Sequence, residues 1–127
     1  MLMDQRDTIL VVDDDRVYRH FVKSMLSPRF NVIETDNVDS ALHLIVEHRP
    51  KVAILDIMSG DKITGLALCH HIKSKDETKN IKVILMTGTW EVLRDNAGNI
   101  LADDFLVKPL NKQQVIYSVE SCINESK

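Results

Sequence analysis

Short apolar runs alternate with segments of helical period along the whole of this 127-residue chain, and that alternation limits the fold more than any other feature. Thr8–Val12 is β-branched and nearly all apolar, the pattern of a strand covered on both faces. Further strands are expected at Phe30–Thr35, Val52–Leu55, Ile81–Met86 and Asp104–Val107. Helical stripes separate them: Val17, Phe21, Val22, Met25 and Leu26, closed by Pro28; Ala41, Leu42, Ile45 and Val46, ending before Pro50; then Leu66, Cys69 and Ile72. A weaker helical stretch covers roughly Trp90 to Asn96. The last helix carries Val115, Ile116, Val119, Cys122 and Ile123, with Asn111 as its N-cap and Gln114 three residues on. Five strands and five helices in strict alternation imply right-handed crossovers and a parallel sheet with helices on both faces. A single domain over 1–127 is expected, its core between about 8 and 124.

Composition removes several functional classes. Sixteen Lys and Arg against nineteen Asp and Glu leave a net charge of −3, which argues against a nucleic-acid-binding surface. No apolar run reaches the ~20 residues of a membrane span, and the first residues lack a signal peptide's apolar stretch. Cys69 and Cys122 have no metal-ligand spacing and read as small buried residues of a reducing, cytoplasmic compartment. The five histidines, His20, His43, His48, His70 and His71, read as solvated helix surface; adjacent His70 and His71 face different ways.

In doubly wound sheets, ligands sit beyond the carboxyl ends of the strands. Asp13, Asp14 and Asp15 follow the first strand, and Asp56 the third. Thr87, Gly88 and Thr89 follow the fourth, and Lys108 and Pro109 the fifth. Neighbouring strand ends lie ~5 Å apart, so Asp13, Asp14 and Asp56 would crowd one pocket. Their repulsion favours a hard divalent cation, Mg²⁺ first and Mn²⁺ as a substitute. A carboxylate can attack phosphorus to give an aspartyl phosphate. Lys108 could supply the opposing point charge, and the Thr87 hydroxyl could bond a phosphoryl oxygen, with Gly88 leaving the approach open. Each residue alone has an ordinary reading: a helix cap for the Asp13–Asp15 run, a solvated acid for Asp56, a turn residue for Thr87, surface charge for Lys108. It is their joint occurrence after four different strands that points to chemistry.

At these residues the chain resembles a response-regulator receiver domain. The similarity runs from Ile9 to about Ile123 through four segments: Ile9–Asp15 (ILVVDDD), Val52–Met58 (VAILDIM), Val83–Gly88 (VILMTG) and Ala102–Pro109 (ADDFLVKP). It implies a flavodoxin-like five-stranded sheet of order 2-1-3-4-5 flanked by five helices. It further implies that Asp56 is the phosphoacceptor, with Asp13, Asp14, Asp56 and the Met58 carbonyl around Mg²⁺. Thr87 and Phe105 match the switch pair, Lys108 matches the lysine that pairs with the phosphoryl group, and the bond to Pro109 is expected to be cis. The implied donor is a histidine kinase or a histidine phosphotransfer protein. The resemblance thus implies a phosphorylatable switch of a two-component or phosphorelay system, catalysing only its own phosphoryl transfer and dephosphorylation. Few residues lie outside the matched stretch, so its effect is expected to pass through another protein or a further output domain. Dimerisation through the fourth and fifth helices is compatible with this reading.

Two departures from the family pattern stand out. Gly60 occupies the place where Pro is usual, and Gly65 follows Asp56 by nine residues instead of eight. The segment Ser59–Thr64 therefore carries one extra residue and should be more flexible. The stretch between Thr87 and Phe105 is about one residue short and contains Gly98 and Asn99, so a short or distorted fourth helix is expected. In the family that this chain resembles, the residues two after the phosphoacceptor and two after the switch hydroxyl influence hydrolysis. Here they are Met58 and Thr89, which offer no carboxylate or amide to orient water, so the resemblance implies a slowly hydrolysed phosphoryl group. Trp90 is expected near the pocket and partly exposed, as a lid or a partner contact. Two rival readings keep the fold. One is a receiver-like binding module that needs no phosphorylation. The other is a Mg²⁺-dependent phosphatase with Asp13 as nucleophile and Asp15 as its second acid.

Overall fold

The computed structural model describes residues 5–59, 62–96 and 100–125. In chain order the elements are β1 (Thr8–Val12), α1 (Arg16–Leu26), β2 (Asn31–Thr35), α2 (Val38–His48), β3 (Val52–Asp56), β4 (Met58–Ser59) and β5 (Lys62–Ile63). They continue with α3 (Gly65–Ser74), β6 (Lys82–Thr87), α4 (Trp90–Asn96), β7 (Asp104–Val107) and α5 (Lys112–Glu125). Five strands form one parallel sheet in the order β2-β1-β3-β6-β7, which is the expected 2-1-3-4-5 arrangement.

The strands alternate because both faces are covered. Ile9, Val11, Ile54, Ile84 and Met86 pack with α1 and α5, whereas Leu10, Ala53, Leu55, Val83 and Leu85 pack with α2 and α3. Both layers exclude water from the three central strands, so the interiors of β1, β3 and β6 carry no polar residue. The register then aligns those ends: Val12 lies opposite Leu55, Leu55 opposite Leu85, and Thr87 opposite Val107.

Several local boundaries differ from the sequence-based expectation. Phe30 does not open β2: its amide bonds the Leu26 carbonyl at 2.9 Å, so it belongs to the turn closing α1, with its ring in the core. Asp56 and Thr87 do not follow their strands but end them, paired with Met86 and Val107. In α1 the buried stripe is Val22, Met25 and Leu26, with Tyr18 packed against it; Val17 is 78% and Phe21 45% exposed. The apolar set of this helix spans a wider arc than one core-facing stripe can bury. Val46 on α2 is likewise exposed.

Two short strands flank the segment that carries the extra residue after Asp56. Met58 pairs with Ile63 and Ser59 with Lys62 in a small antiparallel ladder. Of the segment Ser59–Thr64, expected to be more flexible, Gly60 and Asp61 lie outside the described residues. The fourth helix is described over Trp90–Asn96, and Gly98 and Asn99, on which the expected shortening rested, lie outside the described residues. Asn111 caps α5, its side-chain oxygen accepting from the Gln113 and Gln114 amides at 2.8 and 3.3 Å. Cys69 and Cys122 are free and buried, and all five histidines are exposed. Among the described residues no helix is long and apolar enough to cross a membrane.

Candidate functional site

The three consecutive acids after β1 divide the work. Asp15 is the N-cap of α1, its carboxylate accepting from the Val17 and Tyr18 amides at 3.0 and 3.3 Å. Asp13 turns the other way and is buried, 1% exposed; one oxygen accepts from the Asp15 amide at 2.9 Å and the other from Lys108 Nζ at 3.2 Å. Asp14 is exposed, and its carboxylate gathers with those of Asp13 and Asp56, one oxygen of each lying within 4.8 Å of the others. The capping and clustering readings of the run are therefore both right, for different residues. The Asp13–Asp15 pair that a phosphatase would need does not face one site, because Asp15 is engaged with the helix.

Asp56 closes β3 at the centre of the sheet. One oxygen accepts from the Met58 amide at 3.2 Å and the other from Lys108 Nζ at 2.9 Å. Behind it, the first turn of α3 comes so close that only glycine fits. A Cβ on Gly65 would collide with the Asp56 carbonyl oxygen and stand 2.7 Å from Ile57 Cα. The Thr64 and Gly65 amides both bond the Ile57 carbonyl, at 2.9 and 3.0 Å, locking this approach.

Lys108 reaches in from the end of β7, across a cis bond to Pro109 as expected. Its amide donates to the Thr87 carbonyl at 2.8 Å, which extends the β6–β7 ladder by one bond and aims the side chain at the acids. The ammonium also sits 4.1 Å from the centre of the Tyr18 ring. Thr87 is 1% exposed, and its hydroxyl oxygen accepts from the Thr89 amide at 3.0 Å. A Cβ at Gly88 would meet nothing within 4 Å, so the space beside Thr87 is open whether or not residue 88 is glycine. Phe105, paired with Leu85, turns outward and is 40% exposed. Trp90 is 53% exposed, with the Arg94 guanidinium 5.7 Å from its ring.

The electrostatics follow from this crowding. Burial pushes the Asp13 carboxyl up from 3.8 to about 6, and the Asp56 charge adds to that, against the lowering effect of the Asp15 amide and Lys108. Lys108 is pulled down by burial, but its hydrogen bond to Asp56 and the charges of Asp56 and Asp13 outweigh this and raise it, so it stays an ammonium. Two or more carboxylates facing a single Lys leave net negative charge. The donors are all hard oxygens, and that chemistry fits Mg²⁺.

Three supporting residues were not singled out by sequence reasoning: Tyr18, Arg19 and Gly65 in its steric role. Arg19 donates to the Asp13 carbonyl and to Glu34, both at 2.9 Å, and so braces β1 against β2 behind the acids. Its only sequence signal is a basic residue one helical turn after the Asp15 cap.

Comparison with known proteins agrees with this site. A family model described as the response regulator receiver domain matches residues 9–120. The response regulator MprA of Mycobacterium ulcerans is 30% identical over 94% of this chain and 51% of its own length. A protein of Formosa agariphila named histidine kinase P4 is 31% identical over 87% of this chain but only 8% of its own length. A crystal structure of NtrX from Brucella abortus superposes with a TM-score of 0.85 at 29% identity, covering 96% of this chain and 28% of that one. The chain therefore spans about half, or far less, of the length of these curated relatives. With the 2-1-3-4-5 sheet, the acidic rim and a family match over most of its length, this chain belongs to the response regulator receiver domains of two-component signalling.

Proposed function

We propose that this domain accepts a phosphoryl group on Asp56 from a histidine kinase or a histidine phosphotransfer protein and uses it to switch a protein-binding surface. The observation that carries the reading is the bridging of Asp56 and Asp13 by Lys108 Nζ, at 2.9 and 3.2 Å, within the acidic cluster. Asp56 presents its carboxylate at the open rim of the central strand, as a nucleophile needs. A carboxylate oxygen forms the bond to phosphorus. The P–N bond of the donor phosphohistidine breaks, and its electron pair stays with the imidazole nitrogen. Lys108 then exchanges a carboxylate oxygen for a phosphoryl oxygen and offsets the added negative charge. Mg²⁺ held by Asp13, Asp14, Asp56 and the Met58 carbonyl would neutralise charge on the transferring oxygens.

The switch follows from the same groups. Turning the Thr87 hydroxyl towards a phosphoryl oxygen breaks its bond with the Thr89 amide and shifts the start of α4. Phe105 stands on the neighbouring strand and faces outward, so an inward turn would alter the surface made by α4, β7 and α5. Neither Met58 nor Thr89 carries a group that orients water, so the acyl phosphate is long-lived.

The test is incubation with Mg²⁺ and acetyl phosphate, followed by intact mass. A base-labile phosphate adduct on the wild type, absent from Asp56→Asn, is expected. Labelling that survives Asp56→Asn, or no labelling with Mg²⁺ present, would overturn the assignment.

A further inference from the structure

The geometry points to Tyr18 as a positioning residue for Lys108, an inference that rests on the proposed role of the lysine at Asp56. Tyr18 lies in the first turn of α1, half-buried, with its ring packed against the core formed by α1 and α5. Two separate contacts reach from this one side chain to the chain end that delivers Lys108. The ring face lies 4.1 Å below the Lys108 ammonium, well within the ~6 Å of a cation–π contact. The hydroxyl oxygen accepts from the Leu110 amide at 2.9 Å. Tyr18 therefore grips the backbone two residues past Lys108 while it also supports the tip of the lysine.

The need for such a grip comes from the lysine itself. Its ammonium is a point charge on a flexible four-carbon stem. Here the charge is shared between Asp13 and Asp56, and on phosphorylation it has to move to a phosphoryl oxygen. The ring supplies a negative face that does not move in that exchange, so the ammonium pivots above Tyr18 and does not swing out to water. The residue is fixed in turn: the Tyr18 backbone amide donates to the Asp15 carboxylate at 3.3 Å, and Phe21 meets the Tyr18 ring edge-on with centroids 5.9 Å apart. The third residue of the acidic run thus acts on the site indirectly, by setting the helix turn that carries Tyr18.

Two variants separate the two contacts. Tyr18→Phe keeps the ring and loses the hydroxyl; Tyr18→Leu loses both. The first readout needs no phosphate: the side-chain ¹⁵N and ¹H resonances of Lys108 in the unphosphorylated protein, together with exchange of the Leu110 amide. Tyr18→Leu should move the Lys108 resonances towards those of an exposed lysine, whereas Tyr18→Phe, which keeps the ring face, should move them much less. Leu110 amide exchange should quicken in both. The second readout is the rate of labelling by acetyl phosphate with Mg²⁺, expected to fall about fivefold in Tyr18→Leu and by clearly less in Tyr18→Phe, which keeps the ring. Tyr18→Met fills the space without a ring and replaces Tyr18→Leu if that variant does not fold. Unchanged Lys108 resonances in a folded ringless variant would overturn the inference, as would a Tyr18→Phe protein as impaired as Tyr18→Leu. If the wild type takes no label at all, the phosphoacceptor reading fails, while the Lys108 resonances still decide the role of Tyr18.

Discussion

Replacing Asp13 by Asn should make the metal-free protein more stable at neutral pH. Asp13 is 1% exposed, and burial, joined by the Asp56 charge, raises its carboxyl from 3.8 to about 6. Between those two values the native state keeps a proton that the unfolded chain releases. Stability is therefore full below about pH 4 and is lost as pH rises through about 6, reaching on the order of 3 kcal/mol by pH 7. Asn carries no charge to desolvate, and its side-chain oxygen can still accept from the Asp15 amide, a bond of 2.9 Å in the wild type. Weakening of the Lys108 contact offsets part of the gain, so a net stabilisation of about 1–3 kcal/mol is expected. For a chain of this size that is a rise in Tm of about 4–12 °C. Thermal denaturation in EDTA at pH 7.5 and again at pH 4 measures it: the gap should be open at the first and closed at the second. Mg²⁺ at ten times its Kd should then raise the wild type by about 1.4 kcal/mol, and Asp13→Asn by clearly less. A variant no more stable than wild type at pH 7.5, or a gap indifferent to pH, would refute the reasoning that burial of this charge is the cost.

Two further substitutions probe the site from other directions. Gly65→Ala drives a Cβ into the Asp56 carbonyl and against Ile57 Cα, at 2.7 Å; backbone of the central strand has to yield, so a loss of about 1–3 kcal/mol in urea denaturation and slower labelling of Asp56 are expected, and a variant as stable and as reactive as wild type would contradict the tight approach. Thr89→Glu places a carboxylate beside Thr87, where it can orient a water; decay of the phosphorylated form should quicken several-fold, and a wild type that already decays as fast as the variant would contradict the slow hydrolysis proposed here.

Much of the site was legible because its residues sit where polar side chains have no structural reason to be. An apolar strand buried on both faces has to stop where the first acid or hydroxyl appears, and Asp13, Asp56 and Thr87 mark three such stops, while Lys108 follows the partly exposed edge strand β7. What could not be read was the division among like residues. Asp13, Asp14 and Asp15 are chemically equal in a sequence, and only the start of α1 makes Asp15 a cap and turns Asp13 into the cluster. The α1 stripe failed for a related reason. Val17 and Phe21 are as apolar as Val22 and Leu26, but the side that meets the sheet is set by how α1 lies against α5 and β2.

The alternation of apolar runs with helical stripes by itself pointed to the parallel sheet, its two helical layers and the rim on which the chemistry would lie, because strands joined by helical crossovers run parallel and need both faces covered. The tertiary structure alone decided which groups touch. The Lys108 ammonium meets Asp56, Asp13 and the Tyr18 ring from positions 52, 95 and 90 residues away in the chain. Contacts of that span leave no periodic trace in a sequence. They exist only once register and helix packing have brought the strand ends together.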